Sequence, residues 1–316
     1  MLWGKNAIFA ENKLQMKTRL FPIIKNTTRL GRLFTFLVLL LVGLLLGTFL
    51  SATLMLMFNN QSANALRLAQ GISQITMFIL PPLLYSLLIH EKPFFELGIR
   101  RINNIYIAIA GLALIFVCLP VNNLLTDINE SMRLPERLSA IENIMKASED
   151  KATELTEKML EMNGWRDLIF DLIIIALIPA IGEELTFRGI LQTSLCKVFK
   201  NNTWGVIVGA IIFSAIHLQF YGFIPRFVLG LFLGFLFLWS KSLWLSSAMH
   251  FLNNGSIVVL YYLNQHYNLN FDVEHFGSSD NVWIIIASAL FSIGLLAVAY
   301  SNRHIEKHDN RGHEEK

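Results

Sequence analysis

The sequence predicts an all-α fold, a polytopic membrane bundle of about eight transmembrane helices around a buried polar catalytic cavity, and three observations carry that expectation. Of its 316 residues, 54% are hydrophobic and 16% charged, with a mean hydropathy of +0.50. A soluble domain carries about 25% charged residues. Apolar runs of span length recur, and the basic residues between them fall in alternate loops, as the positive-inside rule requires. Inside one run lie two adjacent carboxylates and a guanidinium, Glu183, Glu184 and Arg188. Such groups cost roughly 2.5 to 3.5 kcal/mol each at membrane depth, so they are usually paired, functional, or both.

Taken in order, residues 1–32 form a basic cytoplasmic head, with Lys5, Lys13, Lys17, Arg19, Lys25, Arg29 and Arg32 against Glu11. Met16 is a second candidate start. The run 33–58 exceeds the 7 to 15 residues of a signal-peptide core and reads as a first span. Further spans are expected at 73–89, 106–119, 168–191, 206–218, 227–239, 245–263 and 282–300. Loops assigned to the cytoplasm carry Lys92, Arg100, Arg101, Lys197, Lys200 and Lys241, and the polar tail 301–316 adds Arg303, Lys307 and Arg311. Both termini are therefore expected inside, in a multi-pass protein of a bacterial cell membrane. Membrane lipid is one expected partner. The net charge of +3 is spread over loops, and no basic stripe interleaved with aromatics suggests nucleic acid.

Between Pro120 and Trp165 the apolar signal stops. Ile141, Met145, Ala152, Leu155, Met159 and Met162 recur at helical spacing, which predicts amphipathic helix on the outer face. Small residues four apart, Gly43 and Gly47, Gly205 and Gly209, Gly230 and Gly234, predict close helix packing. Pro81, Pro82 and Pro179 should perturb their helices, Pro179 freeing the carbonyl of Ile175. Cys118 and Cys196 read as small buried hydrophobes rather than a disulfide or thiolate site. His304, His308 and His313 in the tail, and His266 and His275 in an outer loop, read as solvated.

The chemistry gathers in the second half. On a helix Glu184 and Arg188 stand at i and i+4 and can neutralise each other, while Glu183, about 100° away around the axis, lacks that local partner. Glu183 is then the candidate general base. Two later apolar segments hold His217 in Phe213-Ser214-Ala215-Ile216-His217, and His250 with Asn254 at i and i+4. Counted from the cytoplasmic ends, all three polar sets fall in the middle and inner half of the bilayer, so a shared buried site is the economical reading. A carboxylate assisted by a histidine is sufficient to activate water for amide hydrolysis, and an Asn amide with a histidine ring can stabilise an oxyanion. A divalent metal such as zinc, held by Glu183, His217 and His250, is the variant; the spacing is not that of a His-Glu-x-x-His helix.

These residues resemble the CPBP family of intramembrane proteases, which includes the type II CAAX prenyl endopeptidases and proteins linked to bacteriocin processing. The family pattern EExxxR, FxxxH and HxxxN/D reads here as Glu183-Glu184 with Arg188, Phe213 with His217, and His250 with Asn254. The resemblance covers residues 165–265 of a membrane domain at 33–300. It implies an endopeptidase in which Glu183 and His217 activate water, Glu184 and Arg188 support the site, and His250 and Asn254 bind the oxyanion. The implied substrate is a membrane-associated protein or peptide; members are described both as metalloproteases and as metal-free glutamate enzymes. A non-proteolytic scaffold or immunity factor on the same fold, and a proton-coupled transporter, are the alternative readings.

Overall fold

The computed structural model describes residues 27–58, 62–102, 104–273 and 275–303. Most of the basic head, with Met16, and tail residues His304, His308 and His313 lie outside them. Regular structure among the described residues is helical throughout: α1 Arg29–Phe58, α2 Ala63–Ile89, α3 Ile105–Val117, α4 Leu119–Ser131, α5 Ser139–Met159, α6 (165–199), α7 Asn202–Ala215, α8 Phe223–Ser240, α9 Leu243–Tyr267 and α10 Val282–Ser301. Polar side chains start several of them. Ser62 accepts from the Ala65 amide, Asn104 from Tyr106 and Ile107, Asn201 from Thr203 and Trp204, and Asn281 from Trp283, each satisfying first-turn donors that the helix cannot.

Helices α1, α2, α8 and α10 are long and apolar enough to cross a membrane, and the α3–α4 pair, bent by 50°, makes a fifth candidate. The expected number of eight is not reached on this measure, for reasons visible in the helices that fall short. Helix α6 carries Asp171, Glu183, Glu184 and Arg188; α7 has 14 residues; α9 is interrupted by Ser246, Ser247, His250, Asn253 and Asn254. The helical chain also runs past Pro120, where the apolar signal stops. Pro120 sits in the first turn of α4, where its missing N–H costs no hydrogen bond, so it starts a helix that packs on α8 and α10.

One end of the bundle collects nearly all the basic loops. Leu243 donates its amide to the Gly98 carbonyl and Ser242 its hydroxyl to that of Arg100, each at 2.7 Å, while Asn104 bonds the Asn302 carbonyl at 2.8 Å. Arg29 bonds the Lys197 carbonyl at 2.8 Å. The opposite end holds α5 and the loop in which His275 bridges Asp272 and Asp127. His266 stacks on Tyr262.

Helices α2 and α6 lie side by side and parallel, Arg67 meeting Asp171, Gln74 meeting Glu183, and Phe78 meeting Thr186. Each contains a wide i→i+5 turn just before its prolines, at Ile75–Ile79 and Leu172–Leu177. Leu80 N–H reaches Ile75 O and Ile178 N–H reaches Ile173 O, so the helices absorb the prolines by widening the turn. A third wide turn, Leu185–Gln192, is buried on every residue. The small-residue pairs act in packing. A Cβ on Gly43 or Gly47 would strike Thr76, one on Gly230 would crowd Ala210 and Phe213, and one on Gly205 would strike Cys196.

Two apolar clusters result. One joins Phe36, Phe78, Tyr85, Phe187 and Phe213; the other joins Ile107, Leu114, Leu233, Leu236 and Met249. Outside both, Arg67 and Asp171 form a buried pair at 2.8 Å, and Arg67 also donates to Asn64 and to the carbonyls of Met159 and Glu161. It thereby ties α2 to α6 and to the end of α5. Removing one partner strands a buried charge, so Arg67→Met should cost roughly 3–5 kcal/mol in an unfolding titration of the purified protein, whereas Arg67→Met with Asp171→Leu should recover most of it.

Candidate active site

Glu183, Glu184 and Arg188 occupy α6 where it is surrounded by α2, α8 and α9. Glu184 has no exposed surface, and its Oε1 lies 2.7 Å from Arg188 Nη1 and 3.1 Å from His250 Nδ1. The spacing expected to pair Glu184 with Arg188 does so. Arg188 Nη2 also donates to the Gly230 carbonyl at 3.3 Å, and the guanidinium lies 4.5 Å over the Phe213 ring. Gly230 is also a packing residue, whose missing side chain lets α8 approach Ala210 and Phe213 of α7. One turn further on, Gln192 donates to the Gly234 carbonyl, and the next residue, Thr193, donates its hydroxyl to the Arg188 carbonyl.

Glu183 points elsewhere. Its Oε1 accepts from Gln74 Nε2 at 3.3 Å, and its Oε2 lies 3.8 Å from His250 Nε2, beyond direct hydrogen-bond reach. The His250 ring therefore has one nitrogen against each carboxylate. With a carboxylate at Nδ1, that nitrogen carries the proton, and the Nε2 edge is turned towards Glu183.

His217 lies just past the end of α7 rather than within it. Its Nδ1 is 2.9 Å from the Phe213 carbonyl, which makes Nδ1 the donor and leaves Nε2 as the acceptor edge. The Phe213 ring stands edge-on between the two histidines, 5.4 Å from His217 and 5.8 Å from His250. Asn254 follows His250 by one turn of α9 and is half-buried; its Oδ1 accepts from Asn253 Nδ2 at 3.1 Å. Of the six residues singled out in the sequence, Glu184, Arg188 and His250 meet directly, Glu183 lies 3.8 Å from His250, His217 stands across Phe213, and Asn254 follows His250 a turn away on α9. Among the described residues no three His, Cys, Asp or Glu side chains converge as metal ligands. Both histidines engage Nδ1, His250 with Glu184 and His217 with a carbonyl, which leaves each Nε2 edge open, and Glu183, His217 and His250 are not gathered as a ligand set.

Several residues that shape the site were not singled out in the sequence. Gln74 holds Glu183, and a Gln inside a span 73–89 was a visible signal. Arg226 bonds Gln219 through both the carbonyl and the side chain, just above His217. The turn bearing His217 is held from outside: Asn129 of α4 donates to Phe220 O at 2.9 Å and accepts from Ile224 N at 2.7 Å. From α5, Glu149 accepts the Tyr221 amide and Glu142 the Tyr221 hydroxyl. Helix α5 therefore reaches the loop that carries His217. Lys146 beside Glu142, helped by the Leu134 amide and the Tyr221 hydroxyl, holds that carboxyl below the ordinary carboxylate range. Its contribution is present at neutral pH and is lost only as pH falls through that depressed value.

Fold and cluster together define a membrane-embedded helical bundle with ionisable groups assembled in its interior. Residues 165–256 match the family model described as Type II CAAX prenyl endopeptidase Rce1-like, and this stretch is similar to that family. It contains Glu183, Glu184, Arg188, His217, His250 and Asn254. No curated protein and no solved structure matches the chain.

Asn129→Ala would leave the Phe220 carbonyl and Ile224 amide without their partner, at a cost of about 1–3 kcal/mol. The expected readout is faster hydrogen exchange across residues 217–226, with the exchange of α10 unchanged.

Proposed function

We propose that the protein is an intramembrane endopeptidase that hydrolyses a peptide bond of a membrane-associated protein or peptide, using water activated by Glu183 and His217. The observation that carries this reading is the division of labour between adjacent carboxylates. Glu184 is neutralised by Arg188 and engaged by His250, whereas Glu183 keeps Oε2 facing a ring nitrogen it does not bond. That oxygen is the one available to a water.

In the proposed cycle Glu183 takes a proton from water as the hydroxyl oxygen bonds to the scissile carbonyl carbon, and the His217 Nε2 edge orients the same water. The carbonyl oxygen becomes an oxyanion. His250 donates to it from Nε2 in its imidazolium form, Nδ1–H remaining on Glu184, and Asn254 donates from Nδ2. With His250 charged, Glu183 and Glu184 are balanced by Arg188 and His250, so the buried cluster carries no net charge before water is deprotonated. Collapse of the intermediate breaks the C–N bond, and the proton held by Glu183 passes to the leaving amine. Each donor at the oxyanion contributes where charge develops.

Glu183→Gln preserves shape and the bond from Gln74, and should lower turnover at least about 100-fold while the inserted level and unfolding midpoint stay near wild type. Asn254→Ala should lower it by roughly 10²–10³. Comparative membrane proteomics of wild type and Glu183→Gln supplies the assay, since an uncut substrate accumulates in the variant. Unchanged peptide profiles in both would sink the proteolytic reading and leave the scaffold or immunity role.

A further inference from the structure

The amide of Gln74 is used at one end only. We propose that its other end is a substrate-binding group: Nε2 fixes Glu183, and Oε1 accepts a backbone N–H of an extended peptide substrate beside the scissile bond. This rests on the proteolytic reading above and names how the substrate chain is held.

The argument begins with an imbalance. Gln74 is 8% exposed, and its Nε2 donates to Glu183 Oε1 at 3.3 Å. A carboxylate oxygen accepts, so it draws the nitrogen end of the amide and turns Oε1 away. That Oε1 is buried and has no hydrogen-bond partner among the described residues. A buried acceptor without a donor costs stability, and native interiors keep few of them. An apolar side chain of the same length would avoid that cost.

The placement is built by the packing of α2 on α6. Gly182, just before Glu183, lacks the Cβ that would crowd Phe78 and Ile79, so α2 can lie against α6 at this level. The Arg67–Asp171 pair two turns before Gln74 and the Thr186 bond to Phe78 one turn after it set the register on both sides. The amide is thus held level with Glu183.

Chemistry decides which donor fits. Inside a bilayer an extended peptide has N–H groups that lipid cannot satisfy, so a protease acting there must supply acceptors. Glu183 Oε2 faces His250, the side of the proposed water and oxyanion, whereas Gln74 stands at Oε1. A chain crossing Glu183 then finds donors for its scissile carbonyl from His250 and Asn254, and an acceptor for a neighbouring N–H from Gln74. Since Oε1 is enclosed, that N–H reaches it by displacing the apolar side chains around it.

The test uses the full chain reconstituted in liposomes and, as probe, a synthetic peptide spanning the junction that stays uncut in Glu183→Gln membranes. Ester analogues replace one flanking backbone N–H at a time, with the scissile amide left intact. One analogue is expected to lower wild-type kcat/KM about tenfold, Gln74→Met to lower it at least as much on the amide peptide, and the two losses not to add. Gln74→Glu, nearly isosteric, keeps an acceptor at the same place and should keep the preference for amide over ester even as turnover falls. Gln74→Met should retain the inserted level and unfolding midpoint, because it removes the unpartnered acceptor together with the donor. Losses that add at every position, a wild type indifferent to every ester, or loss of the amide preference in Gln74→Glu overturns the proposal and leaves the peptidase reading in place. If no peptide accumulates in Glu183→Gln membranes, both fall.

Discussion

A carboxylate with no exposed surface lies between a guanidinium 2.7 Å away and an imidazole 3.1 Å away, and much of the bundle is arranged around keeping it so. Away from water an unpaired ion costs several kcal/mol, and that cost is offset only when every lone pair and proton nearby finds a partner. Arg188 is therefore served twice more, by the Gly230 carbonyl and by the Phe213 face. The demand propagates outward. Gly230 must lack a side chain so that α8 can approach α7, Phe213 must face both Arg188 and His250, and His250 must present Nδ1 to Glu184. The geometry of Glu183 follows as a remainder: it is the carboxylate that this neutralisation does not use.

The same economy appears one layer out. Parallel α2 and α6 share three polar contacts along their length, from the Arg67–Asp171 pair through Gln74 and Glu183 to Thr186 and the Phe78 carbonyl. Wide helical turns absorb the prolines of both helices, so the backbone stays satisfied where water is absent. Helix α5, which brings little apolar surface of its own, is joined to this frame by Arg67 at its end, while Glu142 and Glu149 along its side hold Tyr221 in the loop between α7 and α8. Its amphipathic face is only half legible in its packing: Met145, Ala152, Leu155 and Met159 are partly covered, and Ile141 is exposed.

Helical class, the rough position of each apolar run and the Glu184–Arg188 pair were readable from the sequence because they depend on composition and on spacing within one helix. His250 was readable because a titratable group in an apolar run must meet a partner. Its division between two carboxylates was not, since that depends on the rotation of α9 against α6. By the same rule Asp171, standing in Leu-Ile-Phe-Asp-Leu-Ile-Ile, called for a cation, but its partner lies 104 residues away on α2. No local spacing could name it. The number of membrane crossings was read from hydropathy, which undercounts or overcounts wherever a helix spends its apolar character on a polar interior, as α6 and α9 do. His217 was placed in a span, whereas α7 ends at Ala215 and the histidine is carried by the turn beyond.

The pairing of Glu184 with Arg188 on a single helix also bears on how the chain is made. Ribosomal synthesis runs from the amino end, so Arg67 and Gln74 exist when α6 emerges, while Gly230 and His250 do not. Asp171 and Glu183 can thus meet their α2 partners early, but Glu184 would enter the bilayer alone for as long as it takes to translate through α9. Its own helix carries the counter-ion four residues on. A cation supplied from α8 or α9 would serve the finished protein equally well and would leave the nascent one with a bare charge in lipid.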